Sequence, residues 1–226
     1  MIFKGVGAMN FRFDIISEYS HFLVIGTLLT IGLSIAAVIF GTIIGLIICL
    51  GKMSKNKVIS SIFTCYVGFF RGTPLLVQIL IMNFGVIPAV IGETNGVIAA
   101  IASLSLNSAA YIAETIRAGI QSVHRGQMEA SRSLGMTHAQ SMRYIILPQA
   151  LKSILPALGN EFVSLIKDSS LASTIATPEL MYWAQAMNAQ YYRVWEPYLA
   201  SAAIYLVLTL SMSGLVSRLE RRSDAK

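Results

Sequence analysis

At 226 residues, with 55% hydrophobic and only 12% charged side chains and a mean hydropathy of +0.66, the chain has too little polar surface to cover a water-soluble globule. A soluble domain, a disordered chain and a disulfide scaffold are excluded, and lipid is the expected solvent for most of the molecule. The net charge of +6 is read first as a guide to sidedness in a bilayer and not as a nucleic-acid surface.

A bilayer crossing takes ~20 predominantly apolar residues. The length therefore predicts an all-α integral membrane protein with about five transmembrane helices, a single transmembrane domain over 1–226 with no room for a soluble catalytic domain. The first span is expected at about 22–50, where no charge or histidine occurs. Gly41 and Gly45, preceded by Gly32, Ala36 and Ala37, set small residues about a turn apart, so a second helix can approach closely. After Lys52, Lys55 and Lys57 the second span is expected at about 58–82, running through Arg71-Gly-Thr-Pro74. Pro74 removes a backbone donor and disturbs the helix there. The third span is placed at about 94–117. A polar, helix-prone segment follows over 118–152. The fourth span, about 153–177, is the least hydrophobic because it carries Glu161, Lys167 and Asp168, and the fifth, about 197–217, is followed at once by Arg218, Arg221 and Arg222. Cys49 and Cys65 lie in or beside apolar runs and read as small hydrophobes.

Five spans put the termini on opposite sides. If the C-terminus is cytoplasmic, then Lys52, Lys55, Lys57, Arg117, Arg125, Arg132, Arg143, Lys152, Arg218, Arg221, Arg222 and Lys226 all face the cytoplasm, and only Lys4, Arg12 and Arg193 face out. That bias obeys the positive-inside rule. It predicts an external N-terminus and a cytoplasmic 118–152 loop. Tyr182, Trp183, Tyr191, Tyr192, Trp195 and Tyr198 crowd the stretch between the last two spans, where they read as an interfacial aromatic belt or as a surface receiving a partner from outside.

Within the loop, Gln127 to Leu134 has helical composition and Gly135 breaks it. Thr137-His-Ala-Gln140 forms a capping box that starts a second short helix, expected to run to Leu147 before Pro148 ends or kinks it. Two short helices on a glycine turn read either as an element that docks into a groove on another protein or as a linker lying on the membrane surface.

Glu129-Ala130-Ser131, then Gly135, then Ile145-Ile146-Leu147-Pro148 resembles the EAA loop of bacterial ABC importer permeases, with Ser131 in place of the second alanine. Arg71-Gly-Thr-Pro-Leu-Leu-Val-Gln78, Ala110-Tyr-Ile-Ala-Glu-Thr-Ile-Arg117 and Lys167-Asp-Ser-Ser-Leu171 are similar to the polar amino acid branch of that family, in the same order along the chain. The resemblance implies a type I ABC importer permease fold in a bacterial inner membrane, with two permease subunits, identical or paralogous, forming the pathway. It further implies that Glu129, Ala130, Ser131, Gly135, Ile145, Leu147 and Pro148 rest on a cytoplasmic ATPase subunit, and that an external solute-binding protein delivers a polar amino acid. ATP and Mg would sit on the ATPase. No cofactor, metal or catalytic residue is expected on this chain, which lacks a Gly-x4-Gly-Lys-Ser/Thr segment and whose three histidines are scattered.

Charges within spans are costly, so each calls for a partner or a water-filled cavity. Glu114 lies three residues before Arg117 and either pairs with it or faces the pathway. Arg71, at a helix disturbed by Pro74, reads as a carboxylate-binding fork or a structural pair. Glu161, Lys167, Asp168, Ser169 and Ser170 suit a pathway wall better than a lipid face. The competing reading from the same carboxylates is a gradient-driven carrier or channel that works without an ATPase.

Overall fold

The computed structural model describes residues 11–224, with side chains described to residue 218. Lys4, Lys226 and the side chains of Arg221 and Arg222 lie outside the described residues. Among the described residues all regular structure is helical.

Helix α1 spans Phe13–Lys52. At 1.5 Å per residue, 40 residues reach about 60 Å, twice a hydrocarbon core of ~30 Å. The helix begins well before the uncharged run that starts at Phe22. Its first turns bury Ile15, Tyr19 and Leu23 against Leu180 and Met187 of α9 (Leu180–Tyr191). Its later turns meet α5 (Gly96–Ser122) along a seam of small residues. A Cβ at Gly45 would lie 2.9 Å from the Ala109 carbonyl oxygen, and one at Gly41 would lie 3.2 Å from the Ser108 side chain. Glycine at both positions is what permits this approach.

Contacts between Gly41 and Ser108, Gly45 and Ala109, then Lys52 and Glu114, advance together along the chain, so α1 and α5 run parallel. Helix α8 (Leu147–Asp168) runs the other way: Gly119 meets Ile154, while Gly96 meets Ile175 and Thr177 beyond the end of α8. Helix α10 (Trp195–Asp224) starts beside the start of α1, where the Arg12 amide donates to Glu196 Oε1 at 3.1 Å. Near its far end Val216 meets Gly159 of α8.

The segment read as a span over 58–82 is not one straight helix. Helix α2 (Lys57–Gly72) starts on Asn56, whose side chain accepts from the Val58 amide at 2.9 Å. Past Thr73 and Pro74 the chain resumes as α3 (Leu75–Ile81), and the helical run that continues to Ile91 is bent by 105° from α2. Pro74 offers no N–H to the Phe70 carbonyl four residues back. Side-chain amides replace it, since Phe70 O accepts from Gln78 Nε2 at 3.0 Å and from Asn107 Nδ2 at 3.1 Å. Asn107 Nδ2 also reaches Gln78 Oε1 at 2.9 Å, tying the corner to α5. Replacing Asn107 with leucine, of similar size, is expected to destabilise the chain by ~1–3 kcal/mol, because Phe70 O and Gln78 Oε1 each lose a donor. Thermal unfolding in detergent checks this.

Two prolines are accommodated by the same device. A five-residue π turn, Met82–Val86, precedes Ile87-Pro88 at the start of α4 (Ile87–Ile91). Another, Met142–Ile146, precedes Leu147-Pro148. In each the closing amide, Ile87 or Leu147, donates to the carbonyl five residues back. The wider turn moves aside the carbonyl that a proline ring would strike. Of the two outcomes expected at Pro148, an end or a disturbance, the chain takes the second: the helix widens and does not stop at Leu147. It begins as α7 (His138–Ser141) and continues through Pro148 into α8.

The aromatic stretch divides. Trp183 stacks on Phe22 at 4.5 Å and Tyr191 meets Tyr19 edge-on at 6.0 Å, both against α1. Tyr192 and Trp195 point outward, 90% and 55% exposed.

Candidate coupling loop and polar pathway

Helix α6 (Arg125–Ser133) opens on His124, whose Nδ1 accepts from the Gly126 amide at 3.1 Å. Glu129 and Ala130 are exposed, whereas Ser131 is buried with its hydroxyl donating to Met128 O at 2.9 Å. A small residue at 131 is what the packed face of α6 requires. The helix ends in a Schellman motif: the Gly135 amide donates to Arg132 O at 3.0 Å and the Met136 amide to Ser131 O at 3.2 Å. Gly135 supplies the left-handed conformation, φ +82°, that this motif needs. The chain then turns directly into the Thr137 capping box. Thr137 N donates to Gln140 Oε1 at 2.8 Å, and Gln140 N donates to Thr137 Oγ1 at 3.3 Å.

The result is a hydrogen-bonded knuckle with an apolar tip, Leu134 being 84% exposed. Of the later motif residues, Leu147 and Pro148 are exposed and Ile145 is half-buried. Beneath the knuckle lies a cleft of about 490 Å³ against the end of α5, lined by Ile120, Gln121, Val123, Met128, Met142 and Ile146 together with His124 and Arg125.

The polar residues expected within the spans do not converge on one point. Glu161, half-buried in α8, accepts from Ser108 Oγ of α5 at 2.8 Å. Further along α8, Lys167 is exposed and Asp168 half-buried, and among the described residues neither joins an ion pair. The Ser169 and Ser170 hydroxyls bond back to Ile166 O and Lys167 O, at 2.8 and 2.6 Å. Arg71 stands at the α2–α3 corner, exposed, with its guanidinium 5.2 Å over the Tyr111 ring. Glu114 lies at the opposite end of α5 from the 167–170 segment, bonded to Arg117 at 2.6 Å and to Lys52.

Glu179 was not singled out by the sequence. Fully buried, it caps α9 by accepting from the Met181 and Tyr182 amides at 2.9 and 2.7 Å. It also accepts from Tyr205 Oη of α10 at 2.8 Å and from Thr30 of α1 at 3.4 Å. The available signal was a carboxylate immediately before Leu180-Met-Tyr-Trp183, the position of a helix cap.

Comparison with known proteins agrees with this architecture. Residues 37–224 match the family described as binding-protein-dependent transport system inner membrane component. The chain is 41% identical over 202 residues to a putative glutamine transport system permease protein GlnP of Rickettsia bellii (strain RML369-C), covering 89% of this chain and 92% of that one. It is 36% identical over 215 residues to the arginine transport system permease protein ArtQ of Bacillus subtilis (strain 168), covering 95% and 98%. Among solved structures, an amino acid ABC transporter crystallised with histidines shares 45% identity at a TM-score of 0.89, over 95% of this chain and all of that one. The inward-facing MetNI methionine ABC transporter shares the fold at 21% identity, with a TM-score of 0.80 over 91% of this chain and 98% of that one. The chain thus has the all-helical fold of type I ABC importer permeases and belongs to the family of binding-protein-dependent transport system inner membrane components.

Proposed function

We propose that this chain is the membrane-spanning subunit of an ATP-driven importer for a polar amino acid, coupled through the 118–152 loop to a separate ATPase. The observation that carries this reading is the knuckle itself. Glu129, Ala130 and Ser131 lie on α6, Gly135 forms the Schellman turn that leads into the Thr137 capping box, and Ile145, Leu147 and Pro148 lie in the π turn and first turn of α8 that follow; the exposed apolar tip suits a groove on a partner. Relatives named for glutamine and arginine transport support a polar amino acid as the solute.

The helix directions support a chain that crosses the membrane five times. Because α1 and α5 run parallel, the bent α2–α4 segment has to return across the bilayer between them, and α8 and α10 then add one crossing each way. Lys52, Arg117, Arg125, Arg132, Arg143 and Lys152 gather toward the end of the bundle that carries the knuckle. Arg12 and Arg193 lie at the other. That separation favours a cytoplasmic loop, an external N-terminus and a cytoplasmic C-terminus. In this reading the whole of 1–226 is one permease domain in a bacterial inner membrane, paired with a second permease subunit and served by an external solute-binding protein. ATP and Mg belong to the ATPase. Glu161, Lys167 and Asp168 on α8, Ser169 and Ser170 just past its end, and Arg71 at the α2–α3 corner are the polar side chains available to line a pathway. Glu114 has both oxygens engaged by cations and suits the ion-pair role.

Proteoliposomes containing the assembled complex, with labelled glutamine and arginine as probes, test the reading. Uptake of at least one probe is expected to need both the ATPase and ATP. Uptake by the permease alone under an ion gradient would establish a gradient-driven carrier instead.

A further inference from the structure

Lys52, Glu114 and Arg117 meet where the last turn of α1 lies beside the last turns of α5. Glu114 Oε1 accepts from the Lys52 ammonium, and Oε2 accepts from the Arg117 guanidinium at 2.6 and 3.2 Å. The carboxylate is 16% exposed, so its pairings are less screened than those of a surface ion pair. Among the described residues the Lys52–Glu114 contact is also the one side-chain hydrogen bond that joins α1 to α5. The rest of their shared seam consists of small and apolar residues, which permit close packing without a polar tie.

Two further contacts extend the cluster in opposite directions. Arg117 Nη1 donates to Gln121 Oε1 at 2.8 Å, and Gln121 lines the cleft beneath the knuckle together with Met128 and Met142. On the other side the Lys52 carbonyl accepts from Ser60 Oγ of α2 at 2.8 Å. Beside it, Gly51 is so close to Phe63 of α2 that a Cβ would lie 2.1 Å from the ring. A single carboxylate thus stands between the floor of the loop and the junction of α1 with α2.

We propose that Lys52, Glu114 and Arg117 form a clamp through which movement of the loop is passed to α1 and α2. Lys52 and Glu114 are then positioning residues for transport and not substrate contacts. Both oxygens of this carboxylate are already paired with cations of the chain itself, which compensates its charge without a substrate ammonium. The inference rests on the coupling role proposed for the loop.

The test uses the complex of this chain with its ATPase and solute-binding protein in proteoliposomes, recording solute uptake and ATP hydrolysis together. Lys52→Met is expected to lower the maximum uptake rate on the order of tenfold, with KM unchanged and ATP hydrolysis continuing, so that less solute enters per ATP. Lys52→Arg keeps the cation and should retain the native ratio. Co-purification of the ATPase checks assembly. Should Lys52→Met fail to assemble, Gln121→Leu leaves both ion pairs of Glu114 in place and should lower the ratio in the same direction. A native solute-to-ATP ratio in an assembled Lys52→Met or Gln121→Leu complex overturns the clamp, as does a raised KM with an unaltered maximum rate. Uptake that needs neither ATPase nor ATP overturns the coupling role of the loop itself, a result distinct from ATP-dependent uptake with normal coupling in these variants.

Discussion

Replacing Glu179 with alanine is expected to destabilise the chain by roughly 3–5 kcal/mol, as deletion of a buried hydrogen-bonding centre does. The side chain is fully buried and joins three helices: it caps α9 through two amides, accepts from Tyr205 of α10 and accepts from Thr30 of α1. Alanine removes every one of these acceptors while the donors stay buried. Packing nearby leaves little room for adjustment, since a Cβ at Gly26 would lie 2.9 Å from Leu180 Cα. Glu179→Gln should fall between the native protein and the alanine variant. One amide oxygen still accepts from Tyr182 N, but an NH2 group set opposite the Met181 amide faces a donor with a donor. Thermal unfolding of the detergent-solubilised protein measures the series. An alanine variant as stable as the native chain would show that the three helices are held by their apolar contacts alone.

The loop was legible in the sequence because its structure is local. Gly135, the Thr137–Gln140 capping box and the helical run before them act over a few residues, and backbone chemistry alone determines the turn. The π turn before Pro148 was harder to read. A proline predicts that an ordinary α-helix is disturbed, yet whether the chain stops or widens depends on what the following helix packs against, here α5 and α10. The same limit applied to Pro74. The disturbance was evident, but the 105° bend is held by Gln78 and by Asn107, which lies 37 residues from the carbonyl it satisfies. Glu114 shows the limit most clearly. Arg117, three residues away, was visible as a partner, whereas Lys52, 62 residues away, belongs to another helix and is brought there by the glycine seam between α1 and α5. Glu179 was missed for a related reason: its place between two predicted spans read as a connection, and its burial comes from three helices that meet around it.

Gly135→Val is expected to reduce uptake by the assembled transporter ~5- to 30-fold while the chain still inserts. The space around an added Cβ is open, with nothing within 4 Å, so a clash of that atom with another element is not the cause. The cost is conformational. At φ +82° an L-residue pays ~1–2 kcal/mol, and a β-branched one is a marked outlier. In an exposed loop that strain is relieved by opening the Schellman turn, which frees the Met136 and Gly135 amides and lets α6 swing relative to α7. A penalty of one to two kcal/mol lowers the ratio of ordered to open knuckle by about 5- to 30-fold, which sets the upper end of the expected loss of uptake. Gly135→Asn supplies the control, because asparagine tolerates the left-handed conformation and should transport close to the native rate. Gly135→Ala should fall between the two. Equal uptake by the valine and asparagine variants would separate transport from the conformation at residue 135 and remove the knuckle from the coupling path.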